Sequence, residues 1–267
     1  MTHFLRCCGA FVMRDVRAEL SYRLSLVLQI GGMAWMLVLF WFAARMIGND
    51  VPALQSYGGD YFSFILLGYA PLEFLRVGVM GFSGSIREAQ AHGTLEALLV
   101  TRAGLPTIVF GSVAYPYLRA LVRASILVGI GVTAGAATTS MNVPAALLFL
   151  GLSIPCFAAI GILSASFVMV FKKGDPISLV FLGTSTLLSG LLFPTQILGA
   201  LEPISKALPL TYAMEGVRRA AQGASVRELW PEASILMLFC AVLIPLAAWS
   251  FRAAVDRARR DGTVTHY

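Results

Sequence analysis

The run from Val143 to Phe171 constrains this chain more than any other stretch of its sequence, because it contains no charged residue. A helix on the surface of a soluble protein keeps a polar face, which this run lacks. About 20 consecutive apolar residues suffice to cross the hydrocarbon core of a bilayer. The run therefore predicts a helix that spans a membrane.

Runs of this kind recur along the chain, of which 58% is apolar and whose mean hydropathy is +0.78. No polar stretch is long enough to build the core of a separate soluble domain. We therefore predict an all-α membrane protein in which residues 1–267 form a single transmembrane domain. Six transmembrane helices are expected, at about residues 25–47, 61–83, 108–136, 143–171, 177–193 and 229–251.

Basic residues set the predicted orientation. A net charge of +6 would suggest a nucleic acid partner for a soluble protein, but here the basic residues flank membrane spans, so we expect no nucleic acid partner. The side richer in Lys and Arg contains Arg6, Arg14, Arg17, Arg23, Arg87, Arg102, Lys172, Lys173, Arg252, Arg257, Arg259 and Arg260. The other side contains Lys206, Arg218, Arg219 and Arg227. Because basic residues accumulate on the cytoplasmic side, both termini are expected in the cytosol.

The N-terminal segment, residues 1–23, is predicted to form an amphipathic interfacial helix. Arg6, Arg14 and Arg17 share one side of it. The apolar stripe on the other side consists of Phe4, Cys8, Phe11, Val12 and Val16. Such a helix lies along the inner leaflet with its arginines among anionic headgroups, which makes membrane lipids expected partners. A simple positively charged leader to the first span is the alternative.

A polar island, residues 85–106, separates the second and third predicted spans. Gly93 is expected to break it into two helical pieces, with Thr94 capping the second and Glu96 in its first turn. Helical spacing gives that piece one apolar face, formed by Leu95, Leu98 and Leu99. We interpret the island as a cytosolic coupling element that docks on a partner. The alternative is a connector whose leucines face lipid.

Prolines punctuate the chain between the fifth and sixth predicted spans. Pro194, Pro203 and Pro209 leave pieces too short to cross a membrane. We predict that residues 194–223 form two short re-entrant or outer helices. The last, at residues 211–222, is expected to stop at Gly223. Within it, Glu215 is expected to reach Arg218 or Arg219.

Four charged residues fall inside predicted spans: Glu73, Arg76, Arg119 and Arg123. Each costs at least ~2.5 kcal/mol in lipid, so each is expected to face protein or water. Helix depths favour a pair between Glu73 and Arg119, with Arg76 or Arg123 as alternative partners of Glu73. The cluster is interpreted either as a structural ion pair or as a substrate or proton site.

The sequence offers little for catalysis. A phosphate-binding GxxxxGK[ST] loop needs a lysine followed by Ser or Thr, and Lys172, Lys173 and Lys206 are followed by Lys, Gly and Ala. We predict a protein that is not an enzyme and that has no cofactor or metal of its own. The cysteines lack the spacing of a metal or disulfide framework and are Cys7, Cys8, Cys156 and Cys240.

Two motifs resemble those of a known family. The first is Ile-Arg-Glu-x-x-x-x-Gly-Thr-Leu-Glu-x-Leu-Leu-x-Thr at residues 86–101. The second consists of Phe193-Pro194, then Leu-Pro-Leu-Thr-Tyr at residues 208–212, then Glu215-Gly216-x-Arg218. Their order and spacing resemble ABC-2 type transporter permeases, the membrane subunits of drug, polysaccharide and lipid exporters.

The resemblance implies a role for each motif. The ATPase-coupling residues would be Ile86, Arg87, Glu88, Gly93, Thr94, Leu95, Glu96, Leu98 and Leu99. The outer re-entrant motif would comprise Pro194, Pro209, Tyr212, Glu215 and Arg218. In relatives, spans one, two and five lie at or near the dimer interface and line the transport pathway.

The resemblance also implies partners and a location. Cytosolic ABC ATPase subunits would bind ATP and Mg, and a second permease copy or paralogue would complete the pathway in a bacterial inner (plasma) membrane. The alternative function is a proton- or ion-coupled secondary carrier that works alone through Glu73 and its neighbouring arginines. The absence of a two-half repeat argues against that alternative.

Overall fold

The computed structural model describes residues 2–48, 52–57, 59–91, 104–131, 141–171 and 175–260. Within them the chain forms helices and turns, with no strand. The α-helices are α1 (Thr2–Ser21), α2 (Arg23–Ile47), α3 (Tyr61–Ala91), α4 (Gly104–Gly131), α5 (Val143–Phe171), α6 (Pro176–Leu188), α7 (Glu202–Lys206), α8 (Pro209–Ala221) and α9 (Trp230–Arg260). Short 3₁₀ helices occupy Pro52–Tyr57 and Thr195–Leu201.

Five of the described helices are long and apolar enough to cross a membrane. They lie in α2, α3, α4, α5 and α9, at Val27–Ile47, Tyr61–Glu88, Phe110–Ile130, Val143–Phe171 and Trp230–Arg257. The chain is therefore a multi-pass, all-helical membrane protein, as the hydropathy predicted. The part of the predicted third span beyond Gly131 lies outside the described residues.

The predicted fifth span, residues 177–193, is not one continuous helix. Its helix α6 has 13 residues, which cover about 20 Å and fall short of a hydrocarbon core about 30 Å thick. The chain then turns through Ser189 and Gly190, whose φ of 84° favours glycine. The described residues thus contain five membrane-length helices and one shorter apolar helix where six full spans were predicted.

Helix α3 lies at the centre of the fold, packed against α4, α5 and α8. Its aromatic side chains Phe64, Phe74 and Phe82 are fully buried. Where α3 crosses α5, a Cβ atom on Gly161 would clash with the carbonyl oxygen of Gly78. Small residues at this crossing let the two backbones approach closely, which fixes the relative position of α3 and α5.

Helices α5 and α9 run in the same direction. At the start of α5, Asn142 donates from its backbone N to Ala220 O at 2.9 Å and from Nδ2 to Ala224 O at 3.0 Å, beside the segment that leads into α9. Farther along, Cys240 Sγ donates to Leu152 O at 3.6 Å. The chain between α5 and α9 must therefore return to the end of the molecule at which α5 begins.

Helix α6 and the turn after it make this return along α3. Near the start of α6, Ser178 Oγ donates to Val79 O at 3.3 Å. Beyond its end, the carbonyl of Gly190 accepts from Arg218, which also donates to Phe64 O. Because Phe64 and Val79 are about 22 Å apart along α3 at 1.5 Å per residue, the return path covers much of the length of α3.

Helices α1 and α2 lie at the edge of the fold. The ring of Phe11 on α1 packs so closely on α4 that a Cβ at Gly111 would lie 2.6 Å from it. Phe40 on α2 meets Tyr69 on α3 edge to face, with 5.8 Å between ring centroids. Most apolar side chains of α2 are nonetheless exposed, including Trp35. The location of α1 at a membrane interface stays a prediction.

Candidate functional site

A charged cluster lies between α2, α3 and α4. Arg76 Nη2 donates to both carboxylate oxygens of Glu73 at 2.9 Å, within one turn of α3. From α4, Arg123 Nη1 approaches Glu73 Oε2 at 3.6 Å. The Glu73 side chain is only 5% exposed, so these arginines offset the cost of removing its carboxylate from water.

Arg119, one turn before Arg123 on α4, has other partners. Its Nη1 donates to Glu19 Oε1 at 3.2 Å and to Gln29 Oε1 at 3.0 Å. Arg123 Nη2 donates to the same Gln29 oxygen at 2.9 Å. The predicted pair of Glu73 and Arg119 is therefore wrong. One helical turn, about 5.4 Å, separates Arg119 from Arg123, so an error of one turn in the assumed helix depths accounts for the difference.

Sequence reasoning missed two members of this cluster, Glu19 at the end of α1 and Gln29 in α2. Glu19 also accepts a hydrogen bond from the hydroxyl of Tyr115. Burial alone would raise the pKa of Glu19, but hydrogen bonds from Tyr115 and Arg119 hold that pKa below its ordinary value of 4.5. Glu19 is therefore a carboxylate at neutral pH. Gln29 is a polar residue inside a predicted span, and this feature of the sequence could have indicated the cluster.

Two adjoining cavities open beside these charges and share Gln29, Met33 and Arg123 in their walls. The first has a volume of about 310 Å³, and its wall includes Gly32, Tyr69, Glu73 and Arg76. The second has a volume of about 340 Å³, and its wall includes Glu19, Arg119, Leu118, Val122 and Ile126. We call the two together the arginine groove.

The predicted coupling element begins as the last turns of α3. Ile86 is buried in a cluster with Phe82 and Val113. Arg87 Nη2 lies 3.8 Å from Asp175 Oδ2 at the start of α6, and Glu88 is exposed. The docking role predicted for the rest of the element stays a prediction, because these residues lie outside the described part of the chain: Gly93, Thr94, Leu95, Glu96, Leu98 and Leu99.

Asp175 connects this end of α3 with α5 and α6. Its Oδ1 accepts from Ser164 Oγ at 2.5 Å and from the backbone N of Ser178 at 3.0 Å. Burial alone would raise the pKa of Asp175, but the hydrogen bonds from Ser164 and Ser178 hold that pKa below its ordinary value of 3.8. Asp175 is therefore an anion at neutral pH and attracts the guanidinium of Arg87.

Arg218 joins the predicted outer motif to α3 and to the turn after α6. The side chain is buried, and it donates from Nε to Phe64 O at 3.1 Å, from Nη1 to Gly190 O at 2.8 Å and from Nη2 to Leu191 O at 3.3 Å. Its Cζ lies 3.5 Å from the centroid of the Phe64 ring. Burial lowers the pKa of Arg218 to about 10, so it stays protonated at neutral pH. Carbonyl oxygens and an aromatic face thus stabilise the positive charge of the Arg218 guanidinium.

The direct partner of Glu215 is not the one predicted. Tyr57 Oη donates to Glu215 Oε2 at 2.9 Å, while Arg219 pairs with Glu232. The predicted pairing of Glu215 with Arg218 or Arg219 is therefore wrong, because partners distant in sequence compete for these side chains. Burial raises the pKa of Glu215. Burial, together with the negative charge of Glu215, raises the pKa of Tyr57 to about 12.

The remaining residues of this motif lie at helix ends. Pro194 precedes the 3₁₀ helix Thr195–Leu201. Pro209 is the first residue of α8, where its missing N–H costs no hydrogen bond. Tyr212 Oη donates to Lys206 O at 2.9 Å. Helix α8 ends at Ala221, and Gly223 just beyond it has a φ of 92°.

The described residues offer no cluster of three or more His, Cys, Asp or Glu that could hold a metal ion. Cys156 and Cys240 are free thiols.

Comparison with known proteins gives the family. The sequence pattern of the family described as ABC-2 family transporter protein matches residues 42–249. No curated protein matches the chain at a significant level. The matched range takes in most of the membrane-length helices and includes Glu73, Arg123, Ile86 and Arg218. The chain is a membrane transporter component and belongs to the ABC-2 transporter permeases.

Proposed function

We propose that this protein is the permease subunit of an ATP-driven ABC exporter, and that it forms the translocation pathway as a dimer with a second copy or a paralogue. Separate cytosolic ATPase subunits bind ATP and Mg and supply the energy. Membership of the ABC-2 family supports a general association with ABC ATPases. The absence of a GxxxxGK[ST] loop from the sequence supports the assignment of ATP hydrolysis to another chain.

The observation that carries this proposal is the continuity of α3 with the start of the coupling motif. The helix that lies at the centre of the fold runs without a break through its membrane-length segment, Tyr61–Glu88, to Ala91, and its last turns carry Ile86 and Arg87. Ile86 is buried against α4, and Arg87 faces Asp175 at the start of α6. A push on the coupling element would therefore move α3 and α6 together.

The proposed topology has six crossings with both termini in the cytosol of a bacterial cell. Helix α6 and residues 189–193 together make the fifth crossing, and the parallel directions of α5 and α9 support this. Residues 194–223 then lie on the outer side, and α1 lies along the inner leaflet. In this arrangement the Leu95, Leu98 and Leu99 face docks on the ATPase.

The experiment that tests the proposal starts from the tagged full-length chain, purified from the cells that produce it. We expect an ABC ATPase to co-purify, to be identified by mass spectrometry, and to hydrolyse ATP in the complex. If the chain is purified in its folded, helical form and no ATPase accompanies it, the proposal is contradicted.

A secondary carrier remains the second candidate, because Glu73 borders a cavity inside the membrane-spanning region. Glu73 is, however, already engaged by Arg76 and approached by Arg123, which leaves its carboxylate poorly placed to exchange protons or cations. An uncoupler that stops transport while cellular ATP stays intact would favour the carrier. Transport that follows ATP alone would favour the exporter.

A further inference from the structure

The arginine groove carries more positive than negative charge. Arg76, Arg119 and Arg123 face two carboxylates, Glu19 and Glu73. Three guanidinium groups against two carboxylates leave one positive charge that no acid of this cluster balances. Nearby Asp15 does not change the balance, because it pairs with Arg14 at 2.8 Å.

The arginines of the groove keep donors accessible. The Arg76, Arg119 and Arg123 side chains are 44%, 38% and 23% exposed, whereas the side chain of Glu73 is 5% exposed. An arginine offers five N–H donors in a planar fork that fits phosphate oxygens. A ligand entering the groove thus meets guanidinium groups before it meets the carboxylate of Glu73, which favours an anion over a cation.

The wall beside these charges is apolar. Leu118, Val122 and Ile126 on α4 are exposed at the second cavity, and Ile30 on α2 is exposed opposite them. A small inorganic anion would leave this wall unused. A molecule with an anionic head and a hydrocarbon tail would place its head among the arginines and its tail along α2 and α4.

Glycine on α2 keeps the first cavity open. Gly32 lines that cavity, and a Cβ atom there would meet no atom within 4 Å. Gly31 has equally open space but lines neither cavity of the groove. The two neighbouring glycines therefore offer a matched pair of positions, one inside the groove and one outside it.

We propose that the arginine groove binds the phosphate head of an anionic amphiphile, with Arg76, Arg119 and Arg123 as the head-binding residues and α2 and α4 as the wall for its tail. The amphiphile is either a lipid of the surrounding bilayer or the exported cargo, and the second identity rests on the proposed function. Gln29 accepts a hydrogen bond from Arg119 and one from Arg123, and so holds the two side by side in the wall of the groove.

Binding to the purified full-length protein in a neutral detergent tests the proposal. The probe is dioctanoyl phosphatidylglycerol, and the comparison ligands are dioctanoyl phosphatidylcholine and inorganic phosphate. We expect saturable binding of phosphatidylglycerol, weakened about tenfold by Arg123→Gln and by Gly32→Phe. Gly31→Phe, the matched control, should bind as the wild type does. Arg123→Lys, which keeps the charge, should lose less than Arg123→Gln.

Three results would overturn the proposal: equal binding of phosphatidylglycerol and phosphatidylcholine, wild-type binding by Gly32→Phe, or equal binding of inorganic phosphate. A further experiment distinguishes a bilayer lipid from exported cargo. Amphiphiles are extracted from the purified wild type and from Gly32→Phe, and the one that only the wild type retains is identified. An abundant phospholipid indicates the bilayer, and any other anionic amphiphile indicates cargo. The assay measures binding in the absence of ATP, so its result does not depend on whether an ATPase is present, and a failure of the proposed function would leave it unaffected.

Discussion

Arg218 on α8 packs against the backbone of α3 at Gly68, where a Cβ atom would lie 3.0 Å from Arg218 Cζ and would clash with Nη2. The absence of a side chain at Gly68 thus gives the buried guanidinium room to reach the carbonyl of Phe64. Through this contact the segment after α6 and helix α8 are both fixed to the central helix.

Gly68→Ala should therefore destabilise the protein. The added methyl group displaces Arg218 from its carbonyl acceptors, and overpacking of this kind costs about 1–3 kcal/mol. Gly84→Ala is the matched control, because it lies on the same helix and its Cβ would meet no atom within 4 Å. Thermal unfolding in detergent should show a lower Tm for Gly68→Ala alone. Equal Tm values for the two variants would show that the close approach of Arg218 is unimportant.

The buried carboxyl of Glu215 should make stability depend on pH. Burial raises the pKa of this carboxyl, so its ionisation destabilises the folded state. The free energy of unfolding should therefore rise as the pH falls from above the pKa of the folded state towards the pKa of the unfolded state. Glu215→Gln still accepts from Tyr57 and should remove this dependence with no loss of Tm at neutral pH. Glu215→Leu should lower the Tm, because it leaves the Tyr57 hydroxyl without its acceptor. A large loss in Glu215→Gln would contradict this assignment.

The ion pair of Glu73 and Arg123 predicts a direct energetic coupling that Glu73 and Arg119 lack. In a double-mutant cycle, Glu73→Gln and Arg123→Gln should show an interaction free energy of about 0.5–3 kcal/mol. Glu73→Gln and Arg119→Gln, which are linked only indirectly through Arg123 and Gln29, should show a clearly smaller interaction free energy. Thermal unfolding of the five variants and the wild type measures both cycles. An interaction free energy found only between Glu73 and Arg119 would contradict this account and support the pair that helix depths predicted.

The sequence predicts the positions of the five long apolar helices in the described residues, because hydropathy reports a local transfer free energy. It also predicts the end of α8 before Gly223, which depends on local backbone conformation. It fails for the partners of Glu73 and Glu215. Those depend on the rotation and depth of each helix, which close packing such as the Gly78 and Gly161 crossing determines. Hydropathy likewise could not show that α6 stops at Leu188.

The proposed topology predicts which positions are accessible from outside the cell. Single cysteines replacing Gln196 and Arg227, both exposed in the structure, should react with an impermeant maleimide added to intact cells. A cysteine replacing Asp256, also exposed, should react only after permeabilisation. Each single cysteine is introduced into a variant whose own cysteines, Cys7, Cys8, Cys156 and Cys240, have been replaced. Labelling of the cysteine at position 256 in intact cells would contradict the proposed orientation.

Retention of the ATPase by the permease tests the central claim most directly. Leu98 belongs to the predicted docking face, and helical spacing places Ala97 on the opposite side of the same piece. Leu98→Asp should insert into the membrane normally yet lose both the co-purifying ATPase and transport, whereas Ala97→Asp should keep both. A Leu98→Asp complex that assembles and hydrolyses ATP at the wild-type rate would contradict the claim that this element couples the permease to its motor.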